Sequence, residues 1–285
     1  MATIQDIEQH YDANNQVFLR ILDPDYLAYS CGHWSPSGTA RDSQFEKFKY
    51  IAEKVELARC RRVLEIGSGW GSFARFCHDH FPHVQVVGLT LSAEQKAYVD
   101  SRGWSNFRCI VADWRDFETS EPFDAIVSIE SLEHYASMAD RRQNRHIDVY
   151  RAFFERMAAL SAPDAPLYVQ SSIARAAPDD FQGAKDARYI VEKVFQGSAL
   201  ATIGSLQAAA YPTYEFEELH LMGPDMIKTI ADWRNNLSRQ AGEIRSRFGV
   251  ETYEFFLRYF DAAIRRFERK HVDLLELTLR KARLG

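Results

Sequence analysis

Val63-Leu64-Glu65-Ile66-Gly67-Ser68-Gly69-Trp70-Gly71 is the stretch that most restricts how this chain can fold. A short apolar run ends in alternating glycines, and a helical pattern follows. Such a run, bounded by glycine, reads as a strand buried on both faces. The glycines let the backbone take φ > 0 and let a ligand approach where a Cβ would collide. A strand passing through a tight turn into a helix is half of a βαβ unit, so the chain is committed to a parallel sheet with crossover helices.

The surrounding sequence repeats that rhythm. Arg62 to Ile66, Val84 to Leu89, Asn106 to Val111, Ala125 to Ile129 and Leu167 to Ile173 read as strands. Between them, Trp70 to Phe81 suits a helix, Ser92 opens another with Glu94 in its first turn, and Asp140 to Leu160 is a long amphipathic stretch. The expected fold is α/β, a Rossmann-like sheet covered on both faces, within a single domain. Residues 1–60 form its N-terminal helical segment, with a first helix from Ile4 to Leu22, and 61–174 its cofactor-binding core. After Ile173 the rhythm changes: Pro178 to Ala210 and Pro224 to Arg269 read as mainly helical around an extended piece at Thr213 to Leu221. This makes 175–271 an inserted helical cap and 272–285 a returning strand.

Composition excludes several functions. A formal charge of -5 gives no basic field for a polyphosphate, so nucleic acid is not an expected partner. Cys31, Cys60, Cys77 and Cys109 lack paired spacing, the first residues show no secretory pattern, and no run is long and apolar enough to span a membrane. The expectation is a cytoplasmic chain with at most peripheral membrane contact. His78, His80 and His83 have only Asp79 at ligand spacing, and no metal is expected there.

The glycine loop also selects its ligand. A dinucleotide fingerprint needs a third glycine at position 72, where this chain has Ser72. Glu65 beside the loop would repel a pyrophosphate and suits the ammonium of a methionine moiety, so the charge logic favours a cationic cofactor. Two further stretches fall after strands, where doubly wound sheets bind ligands. Thr90 and Gln95 can bond ribose hydroxyls, Asp113 can accept from an adenine amine, and Trp114 can cover the ring. The plainer alternatives are that Ser92 only caps a helix and Trp114 only fills the core.

Tyr29-Ser30-Cys31-Gly32-His33-Trp34, the glycine loop, Gly88-Leu89-Thr90-Leu91-Ser92 with Gln95, and Ser128-Ile129-Glu130-Ser131-Leu132-Glu133-His134 together resemble the cyclopropane fatty acid synthase and mycolic acid methyltransferase family, which includes coclaurine-type N-methyltransferases. The resemblance implies a class I methyltransferase fold. It implies S-adenosylmethionine as cofactor, held by Tyr29, Ser30, Glu65, Gly67, Gly69, Gly71, Thr90, Gln95, Asp113 and Trp114, and a hydrophobic small-molecule or lipid acceptor under the cap. A homo-oligomer is compatible with it.

In the cyclopropane synthases a bicarbonate acts as base, and Cys31, Glu133 and Ile173 match three of its holding positions, whereas Ser171 and Met226 stand where a histidine and a tyrosine belong. Ring formation must strip a proton from the added methyl, so a weakened base site favours simple transfer to a nitrogen or carbon. The alternative is cyclopropanation of an unsaturated acyl chain. Glu130, Glu133 and His134 are the expected catalytic residues, the last able to take a proton at neutral pH. His33 is a weaker candidate, and Tyr211, Tyr214 and Phe216 either line an acceptor pocket or pack in the core.

Overall fold

A computed structural model describes residues 16–282, so Ile4, Ile7 and Tyr11 of the expected first helix lie outside the described residues. That pattern's end, 16–21, is helical. Seven strands form one sheet: β1 (Arg62–Ile66), β2 (Gln85–Thr90), β3 (Phe107–Val111), β4 (Ala125–Ile129), β5 (Pro166–Ala174), β6 (Tyr214–Leu221) and β7 (Val272–Lys281). Their order is β3-β2-β1-β4-β5-β7-β6. The pairings from β3 to β5 are parallel, and β7 is antiparallel to both β5 and β6.

Burial explains the strand sequences. The central β4 carries Ala125, Ile126 and Val127 at 0% exposure because helices cover both faces. The edge strand β6 alternates instead, with Glu215 and Glu217 turned outward.

On one face, α1 (Ala40–Lys54) and α2 (Ser72–His80) pack Phe48, Ile51, Phe73 and Phe76 against Val63, Val86 and Val127. α3 (Ala93–Asp100) opens at Ser92, whose hydroxyl accepts from Gln95 N at 3.2 Å. The amphipathic stretch expected as one helix is two, α4 (Met138–Arg142) and α5 (His146–Leu160), because Asn144 takes a left-handed turn at φ 55 between them. α5 brings Tyr150, Phe153, Phe154 and Met157 to the other face of the sheet.

The region after β5 contains α6 (Phe181–Tyr189), continued by a π-helical turn at Ile190–Val194, then α7 (Ile203–Ala210), α8 (Gly223–Arg239), α9 (Ala241–Phe248) and α10 (Val250–Glu268). Its core joins Ile190, Trp233, Phe256 and Phe260 to Val17, Phe18 and Ile21, so the N-terminal segment and the cap share one cluster. Among the described residues no helix is long and apolar enough to cross a membrane.

Candidate active site

Strand order reverses at β1, which pairs with β2 on one side and β4 on the other. The crevice beyond the carboxyl ends of strands at such a point is where open α/β sheets take ligands. A cavity of about 530 Å³ opens there, bordered by Gly67, Ser68 and Gly69, by Thr90 to Ser92, by Ala112 to Arg115, and by Tyr29 and Ser30.

Gly69 has φ 53, and a Cβ there would meet no atom within 4 Å, so its backbone lies open to whatever fills the cavity. Gly71 behaves differently from the expectation of a cofactor contact. It does not border the cavity, and a Cβ would meet Trp104 Cζ3 at 2.7 Å, so it serves packing behind the turn. Glu65 borders the cavity with Oε2 buried and unpartnered, and burial pushes its carboxyl up to about 8 although Lys47 opposes the shift.

Thr90 Oγ1 donates to Gln95 Oε1 at 2.7 Å, which fixes the two side chains against each other at the cavity wall. Burial works against Asp113, but hydrogen bonds from Arg115, one from Nε at 2.9 Å, hold its carboxyl below the usual value. Trp114 serves both readings given above: it is 8% exposed at the cavity, and it packs against Tyr135 and Phe153 at centroid distances of 5.2 and 5.4 Å.

A second cavity of about 190 Å³ lies under the cap, walled by Ile190, Phe195, Leu200, Met226, Ile230 and Trp233 among others. Tyr29, Glu130 and His134 line both cavities, and Glu133 lines only the second. Glu130 follows β4 at once and has φ 46, held by its N–H donating to Gln170 O at 2.7 Å. Its Oε1 accepts from Cys31 N at 2.6 Å. Glu133 Oε1 accepts from Ser172 N, while Oε2 is buried without a partner among the described residues. Burial raises Glu130 to about 7, with Cys31 and Lys47 opposing, and raises Glu133 to about 8, helped by the charge of Glu130. Tyr29 and Tyr259 share a hydroxyl hydrogen bond of 2.8 Å across the same junction.

This donor set does not fit a bicarbonate. The Cys31 N–H is already taken by Glu130, the Ser171 hydroxyl donates to Ser172 O at 3.2 Å, and Met226 offers no donor. The Cys31 thiol is buried and pushed far up, which removes it as a nucleophile. His33 Nε2 bonds Glu276 Oε1 at 2.6 Å and borders neither cavity. Tyr211 is 75% exposed, while Tyr214 and Phe216 pack into the core beside α5, so these three are not pocket walls.

Sequence reading passed over Lys47, Ser198 and Arg266. Lys47 is fully buried, donates from Nζ to Ser30 Oγ at 2.6 Å and is lowered to about 8 by burial against the pull of Glu130. Its signal was a lysine spaced four residues from Ser43 and from Ile51 on the buried stripe of α1.

The sheet order, the acid beside the glycine turn and the cavity at the switch point define a class I S-adenosylmethionine-dependent methyltransferase. The family model for mycolic acid cyclopropane synthetase matches residues 1–277, and the chain belongs to that family. It is 28% identical to methoxy mycolic acid synthase MmaA3 of Mycobacterium tuberculosis over 98% of this chain and 96% of that protein. The cyclopropane synthase MmaA2 of Mycobacterium tuberculosis superposes with a TM-score of 0.87 at 26% identity, over 98% of each chain. The mycolic acid cyclopropane synthase CmaA1, solved with SAH and CTAB, matches with the same TM-score, identity and coverage of 0.87, 26% and 98% of each chain. The chain is therefore an enzyme that uses S-adenosylmethionine.

Proposed function

We propose that this enzyme transfers a methyl group to a nitrogen or carbon of a hydrophobic small-molecule or lipid-like acceptor seated in the second cavity. One observation carries the reading: the cavity beside the glycine loop and the apolar cavity under the cap meet at Tyr29, Glu130 and His134. The first cavity suits the cofactor, because Gly69 leaves space for close backbone approach and the orphaned Glu65 Oε2 awaits a cation. Glu65 would hold the methionine ammonium, Thr90 and Gln95 the ribose hydroxyls, and Asp113 with Trp114 the adenine, while Tyr29, Ser30 and the backbone of Gly67 and Gly69 close around them. Gly71 supports that turn from behind.

When bound, S-adenosylmethionine supplies an electrophilic methyl group. The chain's own residues position the acceptor and take its proton. The cap excludes water from the second cavity, and its walls aim the acceptor at the junction. Glu133 Oε2, Glu130 and His134 stand there to receive the proton lost by the alkylated nitrogen or carbon. A carboxyl raised to about 7 is part-ionised at neutral pH, which suits Glu130 to accept the proton, whereas Glu133 at about 8 accepts fully only as pH rises past that value.

Cyclopropanation of an unsaturated acyl chain is the second reading, favoured by the family match. Against it stands the Cys31 N–H, which Glu130 already occupies. Where an acceptor comes from a membrane, contact is peripheral on this reading. The test is a panel of hydrophobic amines and unsaturated acyl lipids incubated with radiolabelled S-adenosylmethionine. Label recovered as an intact methyl on an amine or a carbon supports the proposal, and label found only in cyclopropane rings of the acyl lipids overturns it.

A further inference from the structure

Three polar atoms of residues lining the second cavity are sealed from solvent and bond nothing among the described residues: Glu133 Oε2, Ser198 Oγ and Arg266 Nε. Glu133 is accounted for by proton transfer. Arg266 is not. Arg266 is half-buried, with Nε alone sealed and without a partner among the described residues, and an arginine keeps its charge there, which favours a counter-charge. Among the described residues Asp186 is the charge that bears on Arg266, yet it already accepts from Nε and a terminal nitrogen of Arg265, both at 2.8 Å, and from Gln182. Neither Glu130 nor Glu133 is among the charges that bear on Arg266, so this cation stands apart from the two acids.

Helix geometry gives the separation. Tyr259, Ala263 and Arg266 lie at i, i+4 and i+7 on α10 and all line the cavity. Seven residues at 1.5 Å each place Arg266 about 10 Å along the helix from Tyr259, which marks the junction through Tyr29. Arg141, from α4, is a second cation on the wall and spends Nη1 on Leu200 O at 3.1 Å. The cavity thus has largely apolar walls, carboxyls where it meets the cofactor cavity, and the Arg266 cation further along α10.

We propose that the acceptor is a hydrophobic molecule carrying an oxyanion, a carboxylate or a phosphate monoester, which Arg266 receives while the atom to be methylated lies at Glu130 and His134. This rests on the reading of the second cavity as the acceptor site. The oxyanion gives the Arg266 guanidinium a charged acceptor at the cavity wall. A neutral molecule of the same shape would offer the guanidinium no counter-charge.

The test is calorimetric titration of the S-adenosylhomocysteine-loaded enzyme with 4-phenylbutyrate, its neutral amide and 4-phenylbutyl phosphate. Wild-type enzyme is expected to bind one of the anions at least about tenfold tighter than the amide, and the tighter anion identifies the source of the oxyanion. Arg266→Met should erase that preference while leaving amide binding and S-adenosylhomocysteine affinity unchanged, and Arg266→Lys should restore part of it. An amide that binds wild type as well as either anion, or a preference that survives in Arg266→Met, overturns the proposal. Val191→Trp, which fills the cavity, separates this failure from failure of the acceptor reading. It should abolish binding of all three probes. Undiminished binding to it, or no probe bound by wild type, overturns the acceptor site and the oxyanion proposal together.

Discussion

Glu130 is held at φ 46, a left-handed conformation that costs a side-chain-bearing residue on the order of 1–2 kcal/mol, between a carbonyl that fixes its N–H and a backbone amide that fixes its carboxylate. Those two bonds make it a structural tie and a candidate base at once, and substitutions separate the roles. Glu130→Gln keeps an acceptor for the Cys31 N–H, so it should retain S-adenosylhomocysteine affinity while turnover falls about 10²-fold. Glu130→Ala leaves that N–H unpaired, at about 1–3 kcal/mol, and should weaken cofactor binding as well. Glu133→Gln should follow the first pattern, since its carboxylate borders only the acceptor side. Isothermal titration beside single-turnover rates decides each case, and a Glu133→Gln enzyme that turns over normally at saturating cofactor removes Glu133 from the chemistry.

Glu65 yields a pH dependence with a definite sign. Its carboxyl is raised to about 8, so it is mostly protonated at neutral pH without a ligand, whereas a cationic ligand binds the ionised form. Cofactor binding should therefore release a proton, and affinity should climb as pH rises toward 8 and then level. Calorimetry at pH 7 in buffers of different ionisation enthalpy measures the proton. Glu65→Gln should reduce the release, and equal release from mutant and wild type would place the proton elsewhere.

At the scale of elements, the glycine turn and the cap behave as separable parts. Gly69→Val puts a side chain into the cavity and should abolish the stabilisation by S-adenosylhomocysteine, in addition to the strain of a β-branched residue at φ 53. Gly71→Ala drives a Cβ against Trp104 at 2.7 Å and strains φ 78, so it should lower the melting temperature even without ligand. Thermal melts with and without S-adenosylhomocysteine distinguish the two.

The same pair shows what was legible in the sequence. Alternating glycines after an apolar run located the turn, and the charge of Glu65 pointed to the type of ligand. Which glycine faces the ligand depends on Trp104, more than thirty residues away, and no local pattern encodes that contact. Strands β1 to β5 were legible because each is a short apolar run between turn signals. The break between α4 and α5 was not, because Asn144 interrupts an apolar periodicity that continues on both sides. Glu130, Glu133 and His134 stood out as acids and a histidine following a strand. Arg266 did not, because among the many arginines of the helical cap only the packing of α10 against Ile190–Val194 and β7 singles it out.

For the whole molecule, three buried carboxyls set an unusual direction for stability. Glu65, Glu130 and Glu133 are raised from an ordinary value of 4.5 to about 8, 7 and 8. Above pH 4.5 the unfolded chain ionises these groups while the folded chain keeps them protonated, so folding takes up protons. Their contribution is complete below pH 4.5 and is lost progressively as pH rises through 7 and 8. The cofactor-free protein should therefore melt at lower temperature at pH 8 than at pH 6, and a melting temperature that rises over that interval contradicts the burial of these carboxyls. S-adenosylmethionine at 100 times its Kd should add about 2.7 kcal/mol, and NAD should add nothing.

When the proton lost leaves the acceptor and not the added methyl, the methyl group reaches the product intact. That outcome is tested by mass spectrometry of product formed with S-adenosylmethionine whose methyl is fully deuterated, in buffer depleted of bicarbonate. The account predicts a product that keeps all of the methyl deuterium, formed at an undiminished rate. A product lacking one deuteron, with turnover that collapses when bicarbonate is removed, would contradict it.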